Sequence, residues 1–166
     1  MDIEKMGYRP CVGIMLLNAQ GDIWLGRRFD KPNDEGVGQW WQMPQGGIDE
    51  NEDPRAAAIR ELAEETQVTQ ASIIAEAPDW YHYDLPPHLL GKSWGGRYRG
   101  QKQRWFAMRF EGKDSDINLA PPPGQGLEQE FDAWRWAPMD EVAALIVPFK
   151  REVYTKVIAA FRHLAK

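Results

Sequence analysis

The stretch "GGIDENEDPRAAAIRELAEETQV", residues 46–68, decides the fold, because a glycine turn leads directly into the strongest helix signal in the chain. Pro54 suits the first turn of a helix, and Asp53 before it can accept a hydrogen bond from a free backbone N–H. The pattern predicts a helix from 54 to about 67. At ~100° per residue, one helix face is expected to collect the apolar positions Ala56, Ile59, Leu62, Ala63 and Thr66.

Three glutamates, Glu61, Glu64 and Glu65, are expected on the opposite face of this helix. Like charges three or four residues apart destabilise a helix by roughly 0.2–0.5 kcal/mol per pair, and charge alone favours a solvated surface face. However, the glycine turn upstream offers exposed carbonyls, and hard divalent cations bind clustered carboxylate and carbonyl oxygens. The residues alone therefore leave two interpretations open, a solvated face and a cation site.

The segments around this helix predict a sheet. Residues 11–17 and 23–29 are apolar runs joined by turn residues, which predicts a hairpin, and 30–38 is a Pro/Gly loop. Further strands are expected within 72–87, 103–110 and 131–137, and an amphipathic terminal helix over 149–165. Strands flanked by helices predict an α/β or α+β sandwich with a mixed sheet.

Composition bounds the class of protein. The 166 residues suit a single domain, 1–166, and a net charge of −5 gives no global basic field for nucleic acid. No segment approaches the ~20 apolar residues that a membrane span needs, and the N-terminus lacks a signal-peptide pattern. The single cysteine, Cys11, cannot form an internal disulfide. We therefore expect a cytoplasmic protein without membrane contact.

The segment 91–104 departs locally from this acidic balance. It contains five basic residues and no acidic one: Lys92, Arg97, Arg99, Lys102 and Arg104. A solvated loop would explain it, but a local basic patch is also typical of a surface that meets an anionic ligand. We favour the second interpretation.

Residues 46–68 resemble the Nudix box, a glycine and a glutamate followed by an Arg-Glu, an aliphatic residue and a Glu-Glu pair at fixed spacing. The positions in register are Gly46, Glu52, Arg60, Glu61, Leu62, Glu64, Glu65 and Val68. One position departs, because Gln67 stands where the family has a glycine that closes the helix. A non-glycine residue there costs on the order of 1 kcal/mol and touches no expected ligand.

The resemblance implies an α/β/α sandwich and the hydrolysis of a nucleoside diphosphate linked to another group. It also implies Mg²⁺ or Mn²⁺ as cofactor, with more than one ion. By this resemblance the metal ligands are Gly46, Glu61, Glu64, Glu65 and the distal Glu130. Arg60 is expected to pair with Glu52 and fix the loop against the helix, and both belong with Gly46 to the structural part of the box. The implied catalytic set is Glu61, Glu64, Glu65, Glu130 and Arg60, with Glu61 or Glu65 as general base and Glu130 as the alternative.

The resemblance extends beyond the box through segments such as "YRPCVGIMLLN", "WQMPQGGI", "GQKQRWFAMRF" and "EFDAWRW". These are similar to bacterial RNA pyrophosphohydrolases and to the asymmetrically cleaving diadenosine tetraphosphate hydrolases of plants and α-proteobacteria, and "WYHYDLPP" and "WGGRYRGQ" favour the second set. The implied substrate-binding residues are Arg9, Arg28, Tyr83, Phe149 and Lys150. An arginine plane and an aromatic face can hold a base without demanding its identity.

Three functional hypotheses follow. The first is cleavage of diadenosine tetraphosphate to ATP and AMP, and the second is removal of pyrophosphate from the 5′ end of triphosphorylated RNA, alone or beside the first. The third is a Nudix-like nucleotide sensor without catalysis, against which the full set of carboxylates argues. The expected partners are these substrates, with no obligate protein partner and a monomeric state.

Overall fold

The computed structural model describes residues 2–28 and 40–165. Its strands are Gly7–Leu17 (β1), Ile23–Arg28 (β2), Trp41–Gln42 (β3), Gln45–Gly47 (β4), Ala71–Glu76 (β5), Tyr81–Asp84 (β6), Tyr98–Phe110 (β7) and Phe131–Ala137 (β8). Its α-helices are Pro54–Thr66 (α1), Val142–Leu145 (α2) and Arg151–Phe161 (α3). The predicted loop 30–38 lies outside the described residues.

One mixed sheet contains all of these strands. Its main path runs β3-β2-β1-β7-β5, with β4 paired to β1, β6 to β7 and β8 to β2. The long central strands β1 and β7 are parallel, and the other pairs are antiparallel. Residues 11–17 of β1 are buried without interruption, as expected for a central strand covered on both faces. The predicted mixed sheet and hairpin are confirmed.

Two apolar layers lie on opposite faces of this sheet. One contains Ala57, Ala58 and Leu62 of α1 packed on Val12 and Phe106, and the other is covered by α2 and α3. The second layer buries a stripe of α3 that matches the predicted one at Val153, Tyr154, Val157, Ile158 and Phe161. The arrangement is an α/β/α sandwich, so the expected fold class is confirmed.

Helix α1 begins and ends as the sequence predicts, but the predicted apolar face is only partly right, because of its five members only Leu62 and Thr66 are buried. Asp53 accepts a hydrogen bond from the N–H of Ala56, and Gln67 ends the helix in the left-handed conformation at φ 58°. Ile59 is 52% exposed, however, and Ala56 is exposed too. The buried face consists of Ala57, Ala58, Leu62, Glu65 and Thr66. Small alanines let the helix approach the sheet closely, so one of the glutamates turns inward.

The strands after α1 also differ from expectation. The predicted strand segment 72–87 divides into β5 and β6, which are separated by four residues ending at Trp80. Strand β7 begins at Tyr98 rather than 103, because β1 and β6 both pair with its first residues. Within the described ranges no helix is both long and apolar enough to cross a membrane.

Candidate active site

Arg60 is the central cation of the box. Its Nε and one terminal nitrogen donate to both oxygens of Glu52 at 2.8 and 2.9 Å. The same terminal nitrogen donates to the Gly47 carbonyl at 2.8 Å, and the other donates to Glu61 and Glu64, each at 2.9 Å. One guanidinium therefore ties the glycine turn to three carboxylates of or near the helix, and the planar fork of arginine is suited to such bidentate contacts.

Glu52 is fixed from two sides. Besides the guanidinium of Arg60, the N–H of Asp49 donates to its Oε1 at 2.9 Å. The hydrogen bonds from Arg60 lower the pKa of the Glu52 carboxyl to about 2. The same contacts raise the pKa of Arg60, so the pair is ionised throughout the physiological range.

Glu61 lies directly against the backbone of Gly46. A Cβ built on Gly46 would overlap the Glu61 carboxylate, so this position of the turn excludes any side chain. Strand β4 holds Gly46 opposite Val12 of β1, which fixes the turn on the sheet. The glycine therefore lets the helix carboxylate and the turn backbone come into contact.

Glu65 is the inward glutamate. It is 6% exposed, its Oε1 has no hydrogen-bond partner among the described residues, and its carboxyl lies close to that of Glu61 and to the backbone of Gln45. Burial raises its pKa well above the ordinary range, and the nearby charges of Glu61 and Glu130 raise it further. The pKa of Glu61 is also raised, chiefly by burial. When two carboxyls lie close together and are shielded from water, a bound cation or one shared proton relieves their mutual repulsion.

The acidic residues do not form a ready-made metal cluster. Among residues 2–28 and 40–165, no group of three or more His, Cys, Asp or Glu side chains is arranged to hold a metal ion. The carboxylate of Glu64 is instead turned toward Arg60. The half-buried Glu61 and the buried Glu65, whose Oε1 is unpartnered among the described residues, still fit a divalent cation together with the nearby Glu130, because the donor set consists of hard oxygen ligands.

A cleft of about 300 Å³ opens beside this pair. Four of the predicted substrate-binding residues, Arg9, Arg28, Tyr83 and Lys150, line it together with Gly46, Glu61 and Glu130. The Nε of Arg28 is buried without a hydrogen-bond partner among the described residues. Cations on one wall and carboxylates on another suit an anionic ligand that also carries a metal ion.

Phe149, the fifth predicted substrate residue, does not line the cleft. It packs against Tyr83 with ring centroids 5.7 Å apart. The Nζ of Lys150, a residue only 6% exposed, lies 5.7 Å from the centroid of the same tyrosine ring. Burial raises the pKa of the Tyr83 hydroxyl. Tyr83 and Phe149 thus form the apolar support of Lys150, and Tyr83 alone of the two rings reaches the cleft.

The sequence did not reveal every residue of the cleft. Trp94 lines it, with the Arg9 guanidinium 5.5 Å from its ring centroid, and its backbone is left-handed at φ 51°. Gln42, Gln45 and Gln101 also line it. The sequence pattern alone did not predict a site role for Trp94 in its glycine-rich loop. The glutamines lie on strands, and only the strand pairing shows which face of each strand points inward.

The basic segment 91–104 does not form one surface at the cleft. Gln101 and Gln103 are buried, and the intervening Lys102 lies over Trp80, so alternation along β7 turns neighbouring side chains to opposite faces. Arg99 pairs with Asp84 at 3.0 Å, and Arg104 pairs with Glu76. None of the five cations is among the residues that line the described cleft, and two of them are ion-paired.

The NUDIX domain matches residues 7–157, which include every strand and almost all of the helical residues described above. The chain therefore belongs to the Nudix family. It is an enzyme of the class that hydrolyses phosphorus-containing anhydrides.

Two curated bacterial relatives are similar over nearly their full length. An RNA pyrophosphohydrolase of Rhizobium meliloti (strain 1021) is 59% identical over 168 residues, covering 100% of both chains. An RNA pyrophosphohydrolase of Brucella abortus (strain 2308) is 59% identical over 167 residues, covering 99% of this chain and 93% of the relative. The resemblance to this Nudix group that the sequence indicated is confirmed.

Solved structures support the fold from much greater sequence distance. The E. coli dihydroneopterin triphosphate pyrophosphohydrolase has a TM-score of 0.66 at 19% identity and covers 92% of this chain and 98% of its own. A C. elegans Ap4A hydrolase in a binary complex has a TM-score of 0.63 at 18% identity and covers 93% and 98%. At this identity the likeness concerns the fold alone.

Proposed function

We propose that this enzyme removes pyrophosphate from the 5′ end of triphosphorylated RNA and leaves a 5′-monophosphate. The observation that carries the proposal is the full-length 59% identity to a relative named RNA pyrophosphohydrolase. The cleft supports it, because Arg9, Arg28 and Lys150 can neutralise a polyphosphate beside the carboxylates of Glu61 and Glu130.

The carboxylates of the cleft and of α1 have a metal-binding role in this proposal. Glu61 and Glu65, with Glu130 and the Gly46 carbonyl, would hold the cation, and Glu64 would complete the set. Nudix proteins as a family use divalent cations such as Mg²⁺. When bound, such an ion neutralises phosphoryl oxygens and lowers the pKa of a bound water. Two bound ions would suit the four carboxylates of Glu61, Glu64, Glu65 and Glu130.

Arg60 and Glu52 have a positioning role. Their bidentate pair holds the glycine turn against the first part of α1, and the contact of Arg60 with the Gly47 carbonyl fixes the backbone next to Gly46. The guanidinium is only 29% exposed and is engaged by carboxylates, so it is not available to a phosphate. We infer that it orients Glu61 and Glu64 rather than contacting substrate.

The general base is Glu61 or Glu65, with Glu130 as the alternative. Burial raises the pKa of both members of the pair, which brings a carboxylate closer to the basicity that proton abstraction near neutral pH requires. Glu130 lines the cleft from the loop before β8 and could accept a proton from a water on the open side.

The 5′ nucleotide would lie against aromatic and guanidinium surfaces. Arg28 lines the cleft, and Trp94 lies at the cleft with Arg9 against its ring. Such surfaces hold a base by stacking and cation–π attraction without reading its edge. Phe149 supports Tyr83 and Lys150 in this proposal, and a direct stack on Phe149 would require that ring to move.

A second substrate is diadenosine tetraphosphate, cleaved to ATP and AMP. The segments "WYHYDLPP" and "WGGRYRGQ" favour it, and Tyr83 and Trp94, both at the cleft, belong to these segments. Both substrates present a purine nucleotide followed by a charged polyphosphate, so one cleft can accept each of them. A non-catalytic sensor is disfavoured, because all the carboxylates of the box are present.

The test is a comparison of turnover rates on the two substrates under one Mg²⁺ concentration, with separation of the products. The proposal expects pyrophosphate and monophosphorylated RNA from the first substrate, and ATP with AMP from the second. Fast dinucleotide cleavage without any RNA conversion would contradict the RNA assignment and leave the second substrate alone. Replacement of Mg²⁺ by Mn²⁺ in the same assay identifies the preferred ion.

We propose a single domain over 1–166, a monomer without an obligate protein partner, and a cytoplasmic location that suits an RNA substrate. Gel filtration with light scattering measures the oligomeric state directly.

A further inference from the structure

A row of side-chain amides lies behind one wall of the cleft. The indole Nε1 of Trp105 donates to Gln103 Oε1 at 3.0 Å. The Nε2 of Gln103 then donates to Gln101 Oε1 at 2.7 Å and to Gln45 Oε1 at 3.2 Å. Trp105 and Gln103 are 0% and 1% exposed, whereas Gln45 and Gln101 line the cleft itself. The row thus leads from the core to the ligand space.

The direction of every bond in this row follows from Trp105. An indole N–H can only donate, so the oxygen of Gln103 must face it and the NH₂ of Gln103 must face the other way. Both N–H bonds of that NH₂ end on the oxygens of Gln45 and Gln101. A rotated amide at either residue would place two donors against each other. Within the described part of the chain, no hydrogen bond uses the Nε2 of Gln45 or Gln101.

The indole is in turn held by the core. A Cβ on Gly13 would lie 2.5 Å from the Trp105 ring, so the absent side chain makes room for it. Tyr154 packs edge-on at a centroid distance of 5.6 Å, and its hydroxyl accepts a hydrogen bond from the Met43 N–H at 2.9 Å. The donor that orients the row therefore has little freedom to move.

We propose that Trp105 and Gln103 are positioning residues that keep the amide nitrogens of Gln45 and Gln101 directed at the substrate, where they donate to phosphoryl oxygens. The proposal rests on the polyphosphate substrate of the proposed function. Phosphoryl oxygens only accept, and Gln45 is adjacent to the reaction centre, because the next residue, Gly46, lies directly against the Glu61 carboxylate and both residues line the cleft. With the amides reversed, two carbonyl oxygens would face the anion and repel it.

The test is steady-state kinetics of Trp105→Phe on a 5′-triphosphorylated RNA oligonucleotide with Mg²⁺. The substitution keeps an aromatic ring but removes the N–H. The Gln103 amide can then rotate, and the amide nitrogens of Gln45 and Gln101 are no longer held toward the cleft. We expect KM to rise about tenfold while kcat falls less than threefold, because hydrogen bonds to a charged acceptor are weakened.

Trp24→Phe is the matched control. Trp24 is equally buried, lies in the layer on the other sheet face, and its Nε1 has no partner among the described residues. Its KM should stay unchanged.

A double-variant cycle separates positioning from general loosening. In a Gln101→Met background, Trp105→Phe should raise KM less than it does in the wild-type background, since one of the two amides that Trp105 is proposed to orient is then absent. If Trp105→Phe unfolds early in a thermal melt, Gln103→Met replaces it in the same cycle, with the indole and its packing intact.

A KM for Trp105→Phe or Gln103→Met equal to that of Trp24→Phe, or fully additive effects in the cycle, would overturn the inference. Wild-type protein that turns over diadenosine tetraphosphate but not RNA would contradict the proposed main function instead. The same kinetic comparison on the dinucleotide would then decide the positioning role.

Discussion

Glu52→Gln tests whether the ion pair with Arg60 holds the glycine turn. The pKa of the Glu52 carboxyl is about 2 in the folded protein against an ordinary 4.5. A pKa difference of one corresponds to about 1.4 kcal/mol, so the ionised carboxylate adds at most about 3–4 kcal/mol to the free energy of unfolding at pH 7. Glu52 is 17% and Arg60 29% exposed, so solvent screening reduces this contribution. We expect Glu52→Gln to cost about 2 kcal/mol.

The pH dependence of this cost has a definite sign. A carboxyl whose folded pKa is lowered stabilises the protein above pH 4.5, and this stability is lost as pH falls from 4.5 toward 2. Urea unfolding of wild type and Glu52→Gln should therefore differ by about 2 kcal/mol at pH 7 and by less than half of that at pH 3. Below pH 2 the two proteins should converge.

A matched control is Glu50→Gln, which removes the same charge two residues earlier. Glu50 is exposed and makes no ion pair among the described residues, so its loss should change the free energy of unfolding by less than about 0.5 kcal/mol. Equal effects of the two substitutions at pH 7, or a Glu52 carboxyl that titrates near 4.5 by NMR, would refute the reasoning.

Three further predictions concern the turn, the cleft and the helix face. Gly46→Ala should lower kcat at least a hundredfold, because its Cβ would displace the Glu61 carboxylate; unaltered kcat would contradict the contact. Trp94→Ala should raise KM about tenfold through loss of a stacking surface worth about 1–3 kcal/mol, whereas Trp94→Phe should retain most of it, and equal KM values for both would exclude stacking. Ile59→Lys should change the melting temperature by less than about 2 °C, because Ile59 is 52% exposed, and a large decrease would show that this face is covered.

The ends of helix α1 could be predicted from sequence because local chemistry determines them. Asp53 supplies an oxygen to the first turn, Pro54 has the required φ, and Gln67 takes the left-handed exit that the box assigns to its last glycine. The face that α1 buries could not be predicted in the same way. Ile59 is the more apolar side chain, but the small Ala57 and Ala58 permit closer approach to the sheet.

The candidate site, like helix α1, could be predicted from the sequence only in part. The spacing of Glu61, Glu64 and Glu65 indicated a charged cluster, but only the fold shows that Glu65 is buried and that Glu64 faces Arg60. The sequence did not predict a site role for Gln101, because a glutamine in a strand is expected to be exposed unless the strand pairing is known to bury it. Long-range pairing along β1 and β7 determines that orientation.

The central claim is that the glutamates of α1 are required for hydrolysis because they hold the divalent cation. Turnover of 5′-triphosphorylated RNA by the Glu64→Gln/Glu65→Gln double variant tests it most directly, because the change removes charge while keeping volume. We expect pyrophosphate release to fall to background, while circular dichroism and the unfolding transition show a folded protein. Wild-type rates in that folded double variant would contradict the account.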